Sequence, residues 1–274
     1  MQVVKIQDVG SSPLRGRQEE FWQSHIWPKY EKYRPGFKFV YKPEAEILKA
    51  SNLKALEFGH YTTQNERFDF LACSDVSFSD IKKVTGFKEI GFGTIGLAYG
   101  VRGMGGFAVA HFEPGSFMIN LTKKSGFGAF AHEYGHAIDY FFGGYIDQLP
   151  GCFSLSGGHS TSTKNVNPAN DGNLRNLMDK VMEAVIWKNP KEHTDMYNYL
   201  KRTKDPGGYW FRRTELFARA FEKYIHYKLN KKGVKNDFLL RTKYESGVYL
   251  SSNDFIKVLP RMEKLIKKMA ANTK

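Results

Sequence analysis

The chain has 274 residues, 41% hydrophobic and 25% charged, with 22 Phe, 15 Tyr and 4 Trp, which is the make-up of a folded domain with a sizeable core and not of a disordered tail. No apolar run reaches the roughly 18 residues needed to span a membrane, and two cysteines, Cys73 and Cys152, are too few for a disulfide framework or a thiolate metal site, so a reducing, intracellular setting is expected. The net charge of +13 favours acidic partners, nucleic acid among them, through a basic surface whose cations are spread out except for local clusters at 228–235 and 264–268.

Residues 1–20 are polar, contain a Gly-Ser-Ser-Pro stretch and lack the apolar core of a signal peptide; they read as a flexible N-terminus. Residues 21–272 read as a single domain: a helical and sheet part to about 145, a loop over 146–172 and a helical part over 173–272. The first part carries a helical pattern over 18–33, a linking segment, and the glycine-rich stretch 91-GFGTIGLAYGVRGMGG-106. Two short apolar runs, 107–113 and 117–122, flank Pro114-Gly115-Ser116 and predict a β-hairpin. A helix follows over 128-GAFAHEYGHAIDYFFGG-144 and is expected to stop at Gly143-Gly144. Residues 150–172, rich in Gly, Ser, Thr and Asn, read as a long loop, and helices are predicted over 173–188, 191–202, 214–229 and 253–270, the last interrupted by Pro260.

The chemistry concentrates in HEYGH. His132 and His136 stand four apart, about 40° from each other around a helix axis and one turn along it, so both imidazoles can reach one tetrahedral metal ion. Glu133 lies about 100° round from His132 and is free to take a proton from a metal-activated water, which zinc brings to a pKa of about 7. Asp139, three residues after His136, can orient a ligand imidazole or face water. A catalytic zinc needs a third protein ligand. No histidine follows closely; His159 lies in the loop, and Glu215 and Glu222 share one face of a later helix. Glu215 fits as a ligand turned to the core or as a surface residue paired with Arg219.

Other signals are weaker. Residues 91-GFGTIG-96 match a dinucleotide fingerprint, but the glycine-broken LAYGVRGMGG that follows cannot supply its helix. Arg102 suits an anion or a core carboxylate, and His111 with Glu113 offers only two groups toward a second metal site.

Residues 91–144 together with 209-YWFRRTELFARAFEKY-224 resemble the large polyvalent protein-associated domain 1 family, over an expected extent of about 57–265. The paired AHEYGHAID and TELFARAFE tracts are also similar to the metalloprotease domain of anthrax lethal factor. The resemblance implies an α+β zincin-like fold of the gluzincin type: a small sheet, an active-site helix and a helical C-terminal half. It implies one zinc ion on His132, His136 and Glu215, Glu133 as base, and peptide-bond hydrolysis in a protein substrate. Tyr209 takes the place of an oxyanion-stabilising tyrosine, offset by one residue from the pattern, and the strand 117-FMINLT-122, with Phe117, Ile119, Asn120 and Leu121, takes the place of the edge strand that pairs with substrate. It implies a stand-alone protein of a phage or conjugative element, acting in the bacterial cytoplasm or delivered with the virion or element. The alternative is a catalytically diverged relative that binds nucleic acid or a host protein during transfer.

Overall fold

The computed structural model describes residues 34–36, 42–60, 62–100, 109–122, 126–167, 173–205, 207–240 and 247–273. The flexible segment expected at 1–20, the helical pattern at 18–33 and Arg102 lie outside them. Among the described residues the chain forms seven α-helices and a small mixed sheet, in keeping with the expected α+β class.

After a short helix α1 (Glu44–Ser51) and strand β1 (Leu56–Phe58), helix α2 (Gln64–Thr85) starts on a capping box: the Thr63 hydroxyl accepts from the Glu66 amide at 3.3 Å, and the Thr63 amide donates to the Glu66 carboxylate at 2.8 Å. Strand β2 (Gly96–Tyr99) follows, then the hairpin of β3 (Ala110–Glu113) and β4 (Met118–Leu121). The strand order is β1-β2-β4-β3, with β1, β2 and β4 parallel and β3 antiparallel to β4. The glycines 91-GFGTIG-96 therefore lead into a strand and open no helix.

This order corrects the expected edge strand. Residues Ile119, Asn120 and Leu121 lie in β4, which pairs with β2 on one side and β3 on the other, and all four β4 residues are buried. The Pro114-Gly115 turn folds β3 back onto the edge that β4 would otherwise offer. Phe117 precedes the strand in a left-handed conformation (φ +51°) and belongs to the turn. Among the described residues, β3 is the strand at that end of the sheet.

Helix α3 (Phe130–Phe141) packs against β3, β4 and helix α6 (Arg213–Asn230). The α-helical ladder stops at Phe141, yet the backbone continues through Gly143 and Gly144 as a π-helical turn (Phe142–Asp147). A Cβ at Gly143 would stand 2.6 Å from the Ser154 backbone, so the glycine lets the following loop lie directly on the turn. Helix α4 (Leu174–Ile186), a small hairpin of β5 (Trp187–Asn189) and β6 (Glu192–His193), helix α5 (Asp195–Thr203) and helix α7 (Ser252–Ala271) complete the fold, with α7 laid along α4. The core lies between the sheet, α2, α3 and α6: Tyr99 stacks on Phe70 at 4.4 Å, and Phe130 meets Phe78 at 5.7 Å. No described helix is long and apolar enough to cross a membrane.

Candidate metal centre

Two helices build the site, and neither has a side-chain N-cap. The first-turn amides of a helix need acceptors, and here the rest of the chain supplies them. At α3, the Gly128 and Ala131 amides donate to the Phe238 and Leu239 carbonyls at 2.7 and 3.0 Å. At α6, the Arg213 and Thr214 amides donate to the Ser160 and Gly158 carbonyls at 2.8 and 3.1 Å. The long loop expected over 150–172 thus docks on the start of α6 through its described part, and Ser154, Leu155 and Ser156 are buried. Two buried arginines hold it. Arg175 donates to the carbonyls of Gly143, Cys152 and Ser154 at 3.1, 2.8 and 2.9 Å and pairs with Asp147. Arg213 donates to Ser156, Ser162 and Lys164 carbonyls and pairs with Asp179 at 2.7 Å.

The two helices approach closely at Gly135, between the two histidines, where an added Cβ would lie 3.1 Å from Ala218 Cα. Across this contact His132, His136 and Glu215 meet. Their Nε2 atoms are 3.3 Å apart; Glu215 Oε2 is 3.5 Å from His132 Nε2, and Glu215 Oε1 is 3.2 Å from His136 Nε2. Nitrogen and oxygen ligands at zinc distances of about 2.0–2.2 Å in a tetrahedron stand about 3.3–3.6 Å from one another. The histidine pair stands at that edge length, each histidine has one Glu215 carboxylate oxygen within 3.5 Å, and the three groups form the one cluster among the described residues that could hold a metal ion.

The outward-facing ring nitrogens are also held. His132 Nδ1 lies 3.5 Å from the Glu222 carboxylate, which accepts the Tyr249 hydroxyl at 2.8 Å. His136 Nδ1 lies 2.9 Å from Thr214 Oγ1. Thr214 in turn hydrogen-bonds Asp139, whose carboxylate also accepts the Ser156 amide at 2.8 Å and the Ser156 hydroxyl. Asp139 is fully buried, so of the two alternatives it does not face water, and it reaches the histidine through Thr214. Both imidazoles so oriented direct Nε2 at the shared point, which is how partners behind ligand histidines act in metal sites.

Charge follows the same plan. Burial opposes a proton on His132, but the Glu215 and Glu222 carboxylates outweigh it and push the group up to about 10. Burial raises Glu215, and its hydrogen bonds to His132 and His136 overcome this and hold it far below the usual carboxylate range. Arg219 pairs with Glu215 Oε2 at 3.1 Å and stacks on Trp210 at 4.5 Å, so the surface ion pair weighed from the sequence exists inside the site, together with the ligand geometry.

Glu133 is buried beside this cluster, and its carboxylate makes no hydrogen bond or ion pair among the described residues. Tyr209, half exposed in a short 3-10 turn (Tyr209–Phe211), faces Glu215, and partial burial and the charge of Glu215 push its hydroxyl well above the ordinary tyrosine range. His159 is exposed; burial of its ring and nearby Arg212 lower it, and it stays outside the cluster. His111 and Glu113 pair with each other at 3.2 Å and gather no third ligand among the described residues. Sequence reasoning missed Thr214, Ser156, Tyr249 and the two arginines. Only Thr214, next to Glu215, carried any local signal.

No curated protein and no solved structure matches the chain. One protein family does, over the stretch that carries Glu215 and Glu222, while His132 and His136 lie before the matched region, so the likeness is narrower than the 57–265 expected from the sequence. Residues 201–273 match the large polyvalent protein-associated domain 1 family.

Proposed function

We propose that the chain is a zinc-dependent peptide hydrolase of a zincin-like fold, with His132, His136 and Glu215 as the metal ligands. The observation that carries this reading is the convergence of both Nε2 atoms and the Glu215 carboxylate, with a carboxylate oxygen within 3.5 Å of each ring and both histidines turned by Glu222 and Thr214. When bound, the ion supplies Lewis acidity toward a carbonyl and makes water reactive at neutral pH. Glu133, adjacent and with no hydrogen-bond partner for its carboxylate among the described residues, takes the proton of the attacking water and passes it to the departing amine. Tyr209, whose hydroxyl faces Glu215 beside the cluster, can donate to the carbonyl oxygen as charge develops there. An extended substrate adds to β3, the strand at the end of the sheet beside α3.

The match to a polyvalent protein-associated domain supports an origin in a phage or mobile element. Elemental analysis of the purified protein should find one zinc per chain, lost in Glu215→Ala and kept in Glu133→Gln. Proteome-wide cleavage profiling should then find cuts by the wild type that are missing with Glu133→Gln. Full zinc in Glu215→Ala, or undiminished cutting by Glu133→Gln, contradicts the assignment.

A further inference from the structure

The metal centre leaves the charge of +13 unexplained. The cations that matter lie elsewhere, on α7. Its buried side is apolar, with Phe255, Val258, Met262, Leu265, Ile266 and Met269. Its exposed side places Lys257, Arg261, Lys264 and Lys268 at steps of four, three and four residues, which is one line along a helix. At 1.5 Å per residue the line is about 16 Å long. None of the four forms an ion pair among the described residues. The helix has two acids: Asp254 is buried, and Glu263 is taken up by Lys228 at 3.0 Å. The row is therefore uncompensated along its own helix.

The row borders a cavity of about 790 Å³ in the seam between α4 and α7. Lys257, Arg261 and Lys164 line it against a single acid, Glu183; Lys188 lines it too but is paired with Asp195 at 2.5 Å and Glu192 at 3.5 Å, and Trp187 forms part of its wall. Trp187 is fixed in place: its indole N–H donates to the Thr163 carbonyl at 3.1 Å, and one face stacks on His193 at 3.9 Å. No residue of the metal centre lines this cavity.

A row of cations leading to a groove with a rigid aromatic wall is the arrangement that holds single-stranded nucleic acid. The cations track phosphates, and a base packs on the ring. We infer that the α7 row and the Trp187 groove bind single-stranded nucleic acid, as a second activity separate from the metal centre. Strand phosphates lie a few ångströms apart, so a row of this length meets several of them, and the four cations give binding that weakens steeply with salt.

The test is fluorescence anisotropy with a labelled 20-nucleotide single strand, between 50 and 200 mM salt, on the full chain. Wild type should bind with log K falling linearly in log salt. K257Q/R261Q/K264Q, all on the exposed face, should bind at least ten-fold more weakly at 50 mM, with a slope shallower by about two, at about 0.7 per lost phosphate contact. The variant K49Q/K83Q/K88Q, exposed lysines on other elements, should lose little. W187L should weaken binding at every salt without changing the slope. Circular dichroism checks that each variant is folded, and K257E, a single exposed change, repeats the test if the triple variant is not. The inference is overturned by absence of binding at 50 mM salt, by equal losses in both triple variants, or by binding to phosphatidylserine vesicles in place of the strand.

Discussion

Gly135→Ala probes the contact that sets the metal centre. The added methyl would lie 3.1 Å from Ala218 Cα, 3.3 Å from Phe221 Cδ1 and 3.4 Å from Ala218 Cβ. Carbon atoms prefer about 3.5–4.0 Å, so α3 and α6 must part by roughly half an ångström. Overpacking of this kind costs about 1–3 kcal/mol, and alanine returns about 1 kcal/mol through its better helix propensity. The net loss of stability is thus small, about 0–2 kcal/mol, and unfolding alone decides little. The centre is more sensitive. Ligand distances in metal sites tolerate shifts of about 0.2 Å, and here two of the proposed ligands ride on one helix and the third on the other. Zinc affinity should fall about 10- to 100-fold, the loss expected when the support of a ligand is disturbed. The assay is zinc titration against a competing chelator, with urea unfolding of the metal-free protein beside it. Gly144→Ala serves as control, since its nearest neighbour, the Phe153 carbonyl oxygen, is at an ordinary 3.6 Å. If Gly135→Ala takes up zinc as tightly as wild type, helix spacing does not set the ligand separations.

Glu222→Gln removes the carboxylate behind His132; zinc affinity should drop about ten-fold or more, and NMR titration of the metal-free protein should find the His132 pKa lower than in wild type, because one of the carboxylates that raise it is gone. The raised value means that protonated His132 stabilises the metal-free fold fully below its unfolded value of about 6.5 and ceases to do so as pH rises through about 10. In Glu222→Gln that upper limit should move to lower pH in urea unfolding measured across the alkaline range. Arg213→Met leaves Asp179 buried without its partner and frees three loop carbonyls; breaking a buried pair costs about 3–5 kcal/mol. Equilibrium unfolding should show that loss, and an unchanged midpoint would mean that the loop is held by other contacts.

The spacing of His132, Glu133 and His136 is a local property of one helix, and the sequence displays it directly. The third ligand was open between His159, Glu215 and Glu222 on residue reasoning, because a group brought in from another helix leaves no periodic trace; the resemblance pointed to Glu215, and the geometry brings that residue to the histidines. Helix α2 was passed over as a linking segment. Phe68, Phe70, Leu71, Ala72, Cys73 and Val76 are all buried, so no polar stripe marks its period. The interior position of β4 depends on its pairing with β2, which no local pattern encodes. The loop before α4 was legible as a loop from its Gly, Ser, Thr and Asn, but its packing was not. Its order comes from Arg175 and Arg213, which a sequence reader assigns to the surface and the fold buries.

Thr214 and Glu215 are consecutive, and they address opposite sides of the same imidazole: Thr214 Oγ1 meets His136 Nδ1, and Glu215 Oε1 faces Nε2. Any roll of α6 about its own axis therefore shifts both at once, and the ring cannot follow one without losing the other. The histidine works as a feeler gauge for the orientation of α6. Because the Thr214 and Arg213 amides take their acceptors from the loop at 158–160, lifting that loop would turn the helix and disarm the ring in a single motion.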